Sequence, residues 1–250
     1  MAERTRGARR PPPADVNWAW FFDVDGTLVE IAATPSSVVV NDDLPHIISR
    51  LHELSGGAVS LITGRAVADV ERFLPLPGVA VAGQHGLEMR AASGGVAVRA
   101  SSHADLEAIE SELSHVAERH NGLIVEHKGE SIALHYRRAP KLAGYAHRVM
   151  RNLQSIHGRD LVIQKGKRVV ELKPSSVDKG SAIRELMLSA PFKGRTPAFV
   201  GDDVTDESGF RLINRIGGHS IKVGAGRSAA KWRLRDVTAV REWLSEAVTR

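Results

Sequence analysis

Cysteine is missing from the 250 residues, which excludes a disulfide framework, a thiolate metal site and a cysteine nucleophile. Also missing is an apolar run long enough to span a bilayer, so no membrane partner is expected. The eleven histidines show no metal-ligand spacing. There is no internal repeat, and no low-complexity stretch beyond the N-terminus. An export signal is lacking too: Arg4, Arg6, Arg9 and Arg10 are followed by Pro11-Pro12-Pro13 instead of an apolar segment. A cytoplasmic location is therefore expected, and composition predicts a disordered basic, proline-rich leader over residues 1–16. What is present is ordinary for a globular chain, with 42% hydrophobic and 25% charged residues, enough for one large domain or two smaller ones. The net charge is +5 and the pI about 9.7. No basic-aromatic motif accompanies that charge, so no nucleic-acid partner is expected. A mildly cationic surface also suits a small anionic substrate.

Strand and helix signals alternate after the leader. Trp18 to Phe22 reads as a short buried strand. Asp42 to Leu54 puts Leu44, Ile47, Ile48 and Leu51 on one helical face. Ala58 to Ile62, apolar but for Ser60, reads as a buried strand. A helix over 66–73 and a strand over 79–82 follow. This βαβαβ order predicts an α/β fold with a doubly wound parallel sheet. From Gln84 to Pro174 the character changes to hairpins with two intervening helices, 104–120 and 140–156. That stretch, 84–174, is expected to be an inserted smaller α/β domain. The parallel pattern resumes over 175–250, with a helix at 179–188, strands at 197–200 and 220–223, and a last helix at 237–248. The larger domain is thus expected to comprise 17–83 and 175–250.

Four groups carry chemistry. Asp23 and Asp25 stand one residue apart at the end of the first strand, and Gly26 then breaks it. Two carboxylates at a strand end repel, and a hydrated Mg²⁺ relieves that repulsion. A solvent-facing acidic turn is the plainer alternative. A calcium loop fits poorly, since its twelfth position is Thr34 and not Glu. Thr63, in Thr63-Gly64-Arg65, can hold a phosphoryl oxygen through its hydroxyl and nearby backbone N–H groups, or simply cap a helix. Lys179 sits at a helix start, where the dipole disfavours a cation; it either meets an anion or is merely exposed. Asp202, Asp203, Asp206 and Glu207 place four carboxylates in six residues after an apolar strand. In an open parallel sheet ligands bind outside the carboxyl ends of the strands, so these groups are expected on one edge.

Taken in order, the four groups resemble the four motifs of the haloacid dehalogenase (HAD) superfamily. The last, Gly201-Asp202-Asp203-Val204-Thr205-Asp206-Glu207, resembles the trehalose-6-phosphate phosphatase family. So do Ala82-Gly83-Gln84-His85-Gly86, His135-Tyr136-Arg137, Val170-Glu171-Leu172-Lys173-Pro174 and Ala230-Lys231-Trp232-Arg233-Leu234. The chain departs at Val24, where an aromatic is common, at Lys173, where Arg is common, and at Ser175-Ser176, where Gly is frequent.

The resemblance implies a Mg²⁺-dependent phosphatase acting on a small sugar phosphate, trehalose 6-phosphate. Asp23 is the implied nucleophile, forming an aspartyl-phosphate. Asp25 is the implied general acid and base. The implied Mg²⁺ ligands are Asp23, the backbone carbonyl of Asp25, and Asp202. Thr63 and Lys179 would hold phosphoryl oxygens, while Asp203 and Asp206 would orient Lys179 or metal-bound water. The insert would act as a cap. Arg65, Lys128, His135, Arg137 and Glu171 are the candidate substrate contacts, each of the insert residues being open to a plain reading as a solvated strand residue. Other readings are a phosphatase of the same scaffold for sucrose phosphate, glucosylglycerol phosphate or mannosyl-phosphoglycerate, and a non-catalytic binding module that keeps the fold. The oligomeric state is not written in the sequence; a monomer is the favoured expectation.

Overall fold

In a computed structural model, residues 9–32, 37–92, 94–98, 106–127, 131–157, 160–166, 168–175 and 177–249 are described. The chain forms two compact units, 1–98 with 178–250, and 99–177.

The larger unit is built on one eight-stranded sheet. Its strands are β1 (Ala19–Phe22), β2 (Val59–Ile62), β3 (Ala80–Gly83), β4 (Glu88–Arg90), β5 (Val96–Val98), β10 (Pro197–Gly201), β11 (His219–Val223) and β12 (Trp232–Leu234). Their spatial order is β12-β11-β10-β1-β2-β3-β4-β5. The six strands from β12 to β3 are parallel, with Phe21 opposite both Phe199 and Ser60. Strand order runs outward in both directions from the β1/β10 pair, so the topological switch point lies there. The strands need no alternation, because both faces are covered. One face carries Trp20, Phe22, Leu61 and Val200 against Leu44, Ile48, Leu51 and Trp243; the other carries Phe21, Ile62 and Phe199 against Ile183, Phe192 and Phe210. The helices are α1 (Asp43–Leu54), α2 (Val67–Phe73), α5 (Lys179–Leu186), α6 (Glu207–Arg215) and α7 (Val237–Val248).

The smaller unit is an antiparallel sheet in the order β6-β7-β9-β8. Its strands are β6 (Ile124–His127), β7 (Ile132–His135), β8 (Leu161–Gly166) and β9 (Val169–Pro174). Helices α3 (Leu106–Arg119) and α4 (Ala143–His157) cover it through Ile109, Leu113, Met150 and Leu153, which pack with Leu134, Val170 and Leu172.

Two expectations need correction, and one strand went unread. The insert does not begin at Gln84, because β4 and β5 pair antiparallel onto β3 and extend the larger sheet to Val98. Short strands after a parallel run signalled a change of strand direction, not a change of unit. The leader is also shorter than 16 residues. Pro11 is buried, the Pro12 carbonyl accepts from Trp243 Nε1 at 2.9 Å, and Arg233 N donates to the Arg9 carbonyl at 3.0 Å; residues 1–8 lie outside the described part. Strand β12 was not foreseen, since Trp232-Arg233-Leu234 is only three residues long.

Among the described residues no helix is long and apolar enough to cross a membrane.

Candidate active site

The carboxyl ends of β1, β2 and β10 bring the first, second and fourth groups together, and the start of α5 adds the third. Asp23 leaves β1 with its N–H bonded to the Val200 carbonyl at 2.9 Å, so it is still in register with β10. A tight turn follows, with the N–H groups of Thr27, Leu28 and Val29 all directed at the Val24 carbonyl and Gly26 N at 2.7 Å from the Val29 carbonyl. Gly26 is required twice. Its φ is +81°, and a Cβ there would lie 2.4 Å from Asp202 Oδ2. The carboxylate of the fourth group thus rests against the backbone of the first.

Lys179 is the hub. It opens α5 after Asp178, which caps the helix by accepting from Ser181 N at 2.7 Å. Its ammonium is 2.6 Å from Asp23 Oδ1 and 2.6 Å from Asp206 Oδ1, with 2% of the lysine side chain exposed. The dipole conflict read from the sequence is offset by two buried carboxylates. Burial alone would lower the lysine's affinity for its proton, but Asp206 and Asp23 outweigh it and hold the group above its ordinary value, so it is a cation. Asp23 shifts well above the ordinary carboxylate range, because it is buried and faces Asp206 and Asp202; Lys179 opposes this only in part.

Asp206 uses both oxygens. Oδ1 takes Lys179, and Oδ2 accepts from Asp203 N at 2.8 Å. Asp203 in turn caps the short turn 204–206 with its side chain. The carboxylate oxygens of Asp23, Asp202 and Asp206 lie within 4.8 Å of one another. Three carboxylates outnumber the two ammonium groups of Lys179 and Lys222, an excess of negative charge that a divalent cation offsets. Asp206 bonds Lys179 and Asp203 N through its two oxygens and Asp23 bonds Lys179 through Oδ1, so Asp23 Oδ2 and the Asp202 carboxylate are the groups that could hold a metal. All donors are hard oxygens, as Mg²⁺ requires. Lys222 was missed in the sequence: its ammonium donates to the Asp202 carbonyl from the adjacent strand β11 and is buried. A lysine in an apolar run, at the same sheet edge as the acids, was the available signal.

Thr63 is buried, and its Oγ1 accepts from Arg65 N at 3.2 Å. The bond closes a local turn and is not a helix cap, since α2 starts only at Val67 with Ala66 as its N-cap; it leaves the hydroxyl proton to donate. Arg65, a candidate substrate contact in the sequence, meets Asp25. Its guanidinium clasps Asp25, Nε to Oδ2 and Nη2 to Oδ1, both at 2.6 Å.

The loop 63–67 is clasped by a turn whose role no sequence signal gave. Gln84, His85 and Gly86 all have positive φ, at +46°, +60° and +107°. For the two non-glycine residues this costs of order 1–3 kcal/mol each. In return, Gln84 N bonds the Arg65 carbonyl at 2.8 Å and His85 N bonds the Thr63 carbonyl at 2.7 Å. Glu88 accepts from Val67 N at 2.8 Å and from Gln84 Nε2 at 2.5 Å. The His85 ring lies where a Cβ on Gly64 would stand, 2.8 Å from Nε2.

The remaining candidates lie in the smaller unit. Glu171 is buried on β9, and Ser131 Oγ donates to it at 2.7 Å. His135 is 2.7 Å from Glu126 through Nε2. Arg137 is exposed beyond β7. Lys128 falls outside the described residues. Glu171 is therefore not the solvated strand residue of the plain reading.

The trehalose-phosphatase family profile matches residues 21–238. The chain is 40% identical over 238 residues to the trehalose-6-phosphate phosphatase of Escherichia coli K12, covering 95% of this chain and 89% of that protein. The fold is that of the C-terminal domain of the Candida albicans trehalose-6-phosphate phosphatase, with a TM-score of 0.81 at 24% identity over 92% of this chain and 91% of that one. It is likewise that of a haloacid dehalogenase-like hydrolase from Bacteroides thetaiotaomicron, with a TM-score of 0.66 at 16% identity over 92% and 98% of the two chains.

Proposed function

The chain belongs to the trehalose-phosphatase family, and on that premise we propose that it hydrolyses trehalose 6-phosphate to trehalose and phosphate through an aspartyl-phosphate on Asp23. The observation that carries this reading is the buried Asp23–Lys179–Asp206 triad at the β1/β10 switch point, with Asp202 beside it.

In the proposed reaction an Asp23 oxygen attacks phosphorus while the bond from phosphorus to the sugar oxygen breaks. Asp25 gives its proton to that leaving oxygen. In the second half, water attacks phosphorus, Asp25 takes the proton of that water, and the Asp23 carboxylate is released. Lys179 balances charge on Asp23 and on the phosphoryl oxygens, and Asp206 keeps it oriented. The Thr63 hydroxyl donates to a phosphoryl oxygen. Mg²⁺ would be held by Asp23, Asp202 and the Asp25 carbonyl, and when bound it supplies the positive charge that lets a dianionic phosphate approach a carboxylate. The smaller unit is proposed as a cap that recognises the sugar through Lys128, His135, Arg137 and Glu171, a role that rests on the sequence resemblance.

The test is phosphate release over a panel of sugar phosphates with Mg²⁺ present. Trehalose 6-phosphate is expected to be turned over with the highest kcat/KM. A higher value for sucrose phosphate or glucosylglycerol phosphate would overturn the substrate assignment and leave the chemistry standing.

A further inference from the structure

We propose that Arg65 is a positioning residue for Asp25 and not a ligand of the substrate; the inference rests on Asp25 acting as the general acid and base. Both nitrogens of the guanidinium fork that face Asp25 are used, and both carboxylate oxygens are met, at 2.6 Å each. Such a two-point pair fixes the plane of the carboxylate as well as its place. Arg65 is itself held. Its guanidinium carbon lies 5.0 Å from the centre of the Phe73 ring, its N–H bonds Thr63 Oγ1, and its carbonyl is bound by Gln84 N. Its side chain is 15% exposed against 32% for Asp25. The more buried partner, anchored at the ring, the loop and the strained turn, sets the position of the more open one.

Asp25 needs that support. It stands three residues past the end of β1, where a single bridge to Val29 is all the strand pairing its backbone keeps. An acid that delivers a proton to one oxygen must be aimed, and a misplacement of about 1 Å costs on the order of a hundredfold in rate. The Gly83-Gln84-His85-Gly86 signature acquires a role by the same route. It grips the backbone of Thr63 and Arg65, and so aims Asp25 at one remove.

Aryl esters carry no sugar and so separate this inference from the substrate assignment. Phenolate is a poorer leaving group than p-nitrophenolate and leans harder on the acid. Arg65→Gln is expected to steepen the fall in kcat/KM from p-nitrophenyl phosphate to phenyl phosphate by about tenfold or more. With trehalose 6-phosphate, kcat is expected to fall about 10- to 100-fold while KM stays within about twofold. Arg65→Lys keeps the charge but loses the fork, and the same steepening is expected. In an Asp25→Asn background Arg65→Gln is expected to cost nothing further. A raised KM for trehalose 6-phosphate with an unchanged aryl ratio would make Arg65 a substrate ligand and overturn the proposal. Equal losses on every ester, wild-type behaviour of Arg65→Lys, or multiplicative losses in the double variant would overturn it too. Asp25→Asn alone tests the acid assignment, and the wild-type sugar panel tests the substrate, so the three failures are distinguishable.

Discussion

Lys179 and Asp206 form an ion pair at 2.6 Å in which the side chains are 2% and 0% exposed. Removing one partner of such a pair leaves a buried charge uncompensated, at about 3–5 kcal/mol. Lys179→Met is expected to lose turnover and to lose stability of that order, since three acids then face one another. Urea denaturation with and without Mg²⁺ checks this. A variant as stable as the parent would show that Lys179 balances no charge in the native protein.

Asp23→Asn is expected to abolish turnover by several orders of magnitude, as for loss of other covalent nucleophiles. The fold should survive, because the change removes a carboxylate whose ionisation burial already opposes. Activity within tenfold of the parent would refute the nucleophile. Asp25→Asn should be nearly as severe, and intact-mass spectra are expected to reveal a trapped phospho-enzyme.

Mg²⁺ should stabilise the native state by filling the charge deficit at Asp23 and Asp202. At a hundredfold excess over its Kd, linkage gives about 2.7 kcal/mol. Thermal unfolding should shift upward with added Mg²⁺ in the parent and much less in Asp202→Asn. A shift of equal size in both would move the ion to other ligands.

Glu171→Ala should raise KM for trehalose 6-phosphate much more than for p-nitrophenyl phosphate. An acceptor removed from a sugar hydroxyl leaves that hydroxyl unsatisfied, at roughly 1–3 kcal/mol, and the aryl ester has no such group. Equal change for both esters would confine Glu171 to the bond it makes with Ser131.

His219 gives a pH dependence of stability. It stacks on Trp18 with centroids 4.2 Å apart, and its buried Nδ1 has no hydrogen-bond partner among the described residues. Burial, helped by Lys231, lowers its pKa from 6.5. The depressed value means that the unfolded chain takes the proton first, so the stabilisation is present above about pH 6.5 and is lost as pH falls below it. His219→Phe should keep the ring stack and lose less Tm than the parent between about pH 8 and about pH 5.5. Identical pH slopes in the two proteins would assign the effect to other groups.

The parallel sheet was legible because β1, β2 and β10 are almost wholly apolar, with Ser60 the one polar side chain, and each runs into polar residues that a core would exclude. The last helix, 237–248, was read to the residue, since Asp236 caps it and its apolar face is regular. What escaped was set by tertiary pairing. Nothing local in Glu88-Met89-Arg90 says that it will reverse direction beside β3. Arg65 and Asp25 are forty residues apart, and only the adjacency of β1 and β2 brings them together. Asp203 was expected, with Asp206, to orient Lys179 or metal-bound water; it is Asp206 that meets Lys179, and the Asp203 N–H donates to the other Asp206 oxygen.

The register of β1 has a cost in time. Its partner β2 is made soon afterwards, but its other partner, β10, begins at Pro197. A ribosome must therefore make some 175 further residues after Phe22, including all of 99–177, before that flank of the central strand is paired. Until then Trp20, Phe21 and Phe22 present an open, apolar, hydrogen-bonding edge at the middle of the future sheet. The antiparallel module has partners close by in sequence and can close while it waits. The nascent chain is thus most vulnerable to misassociation at the strand that leads into Asp23, and dependence on chaperones should track the interval before Gly201 emerges.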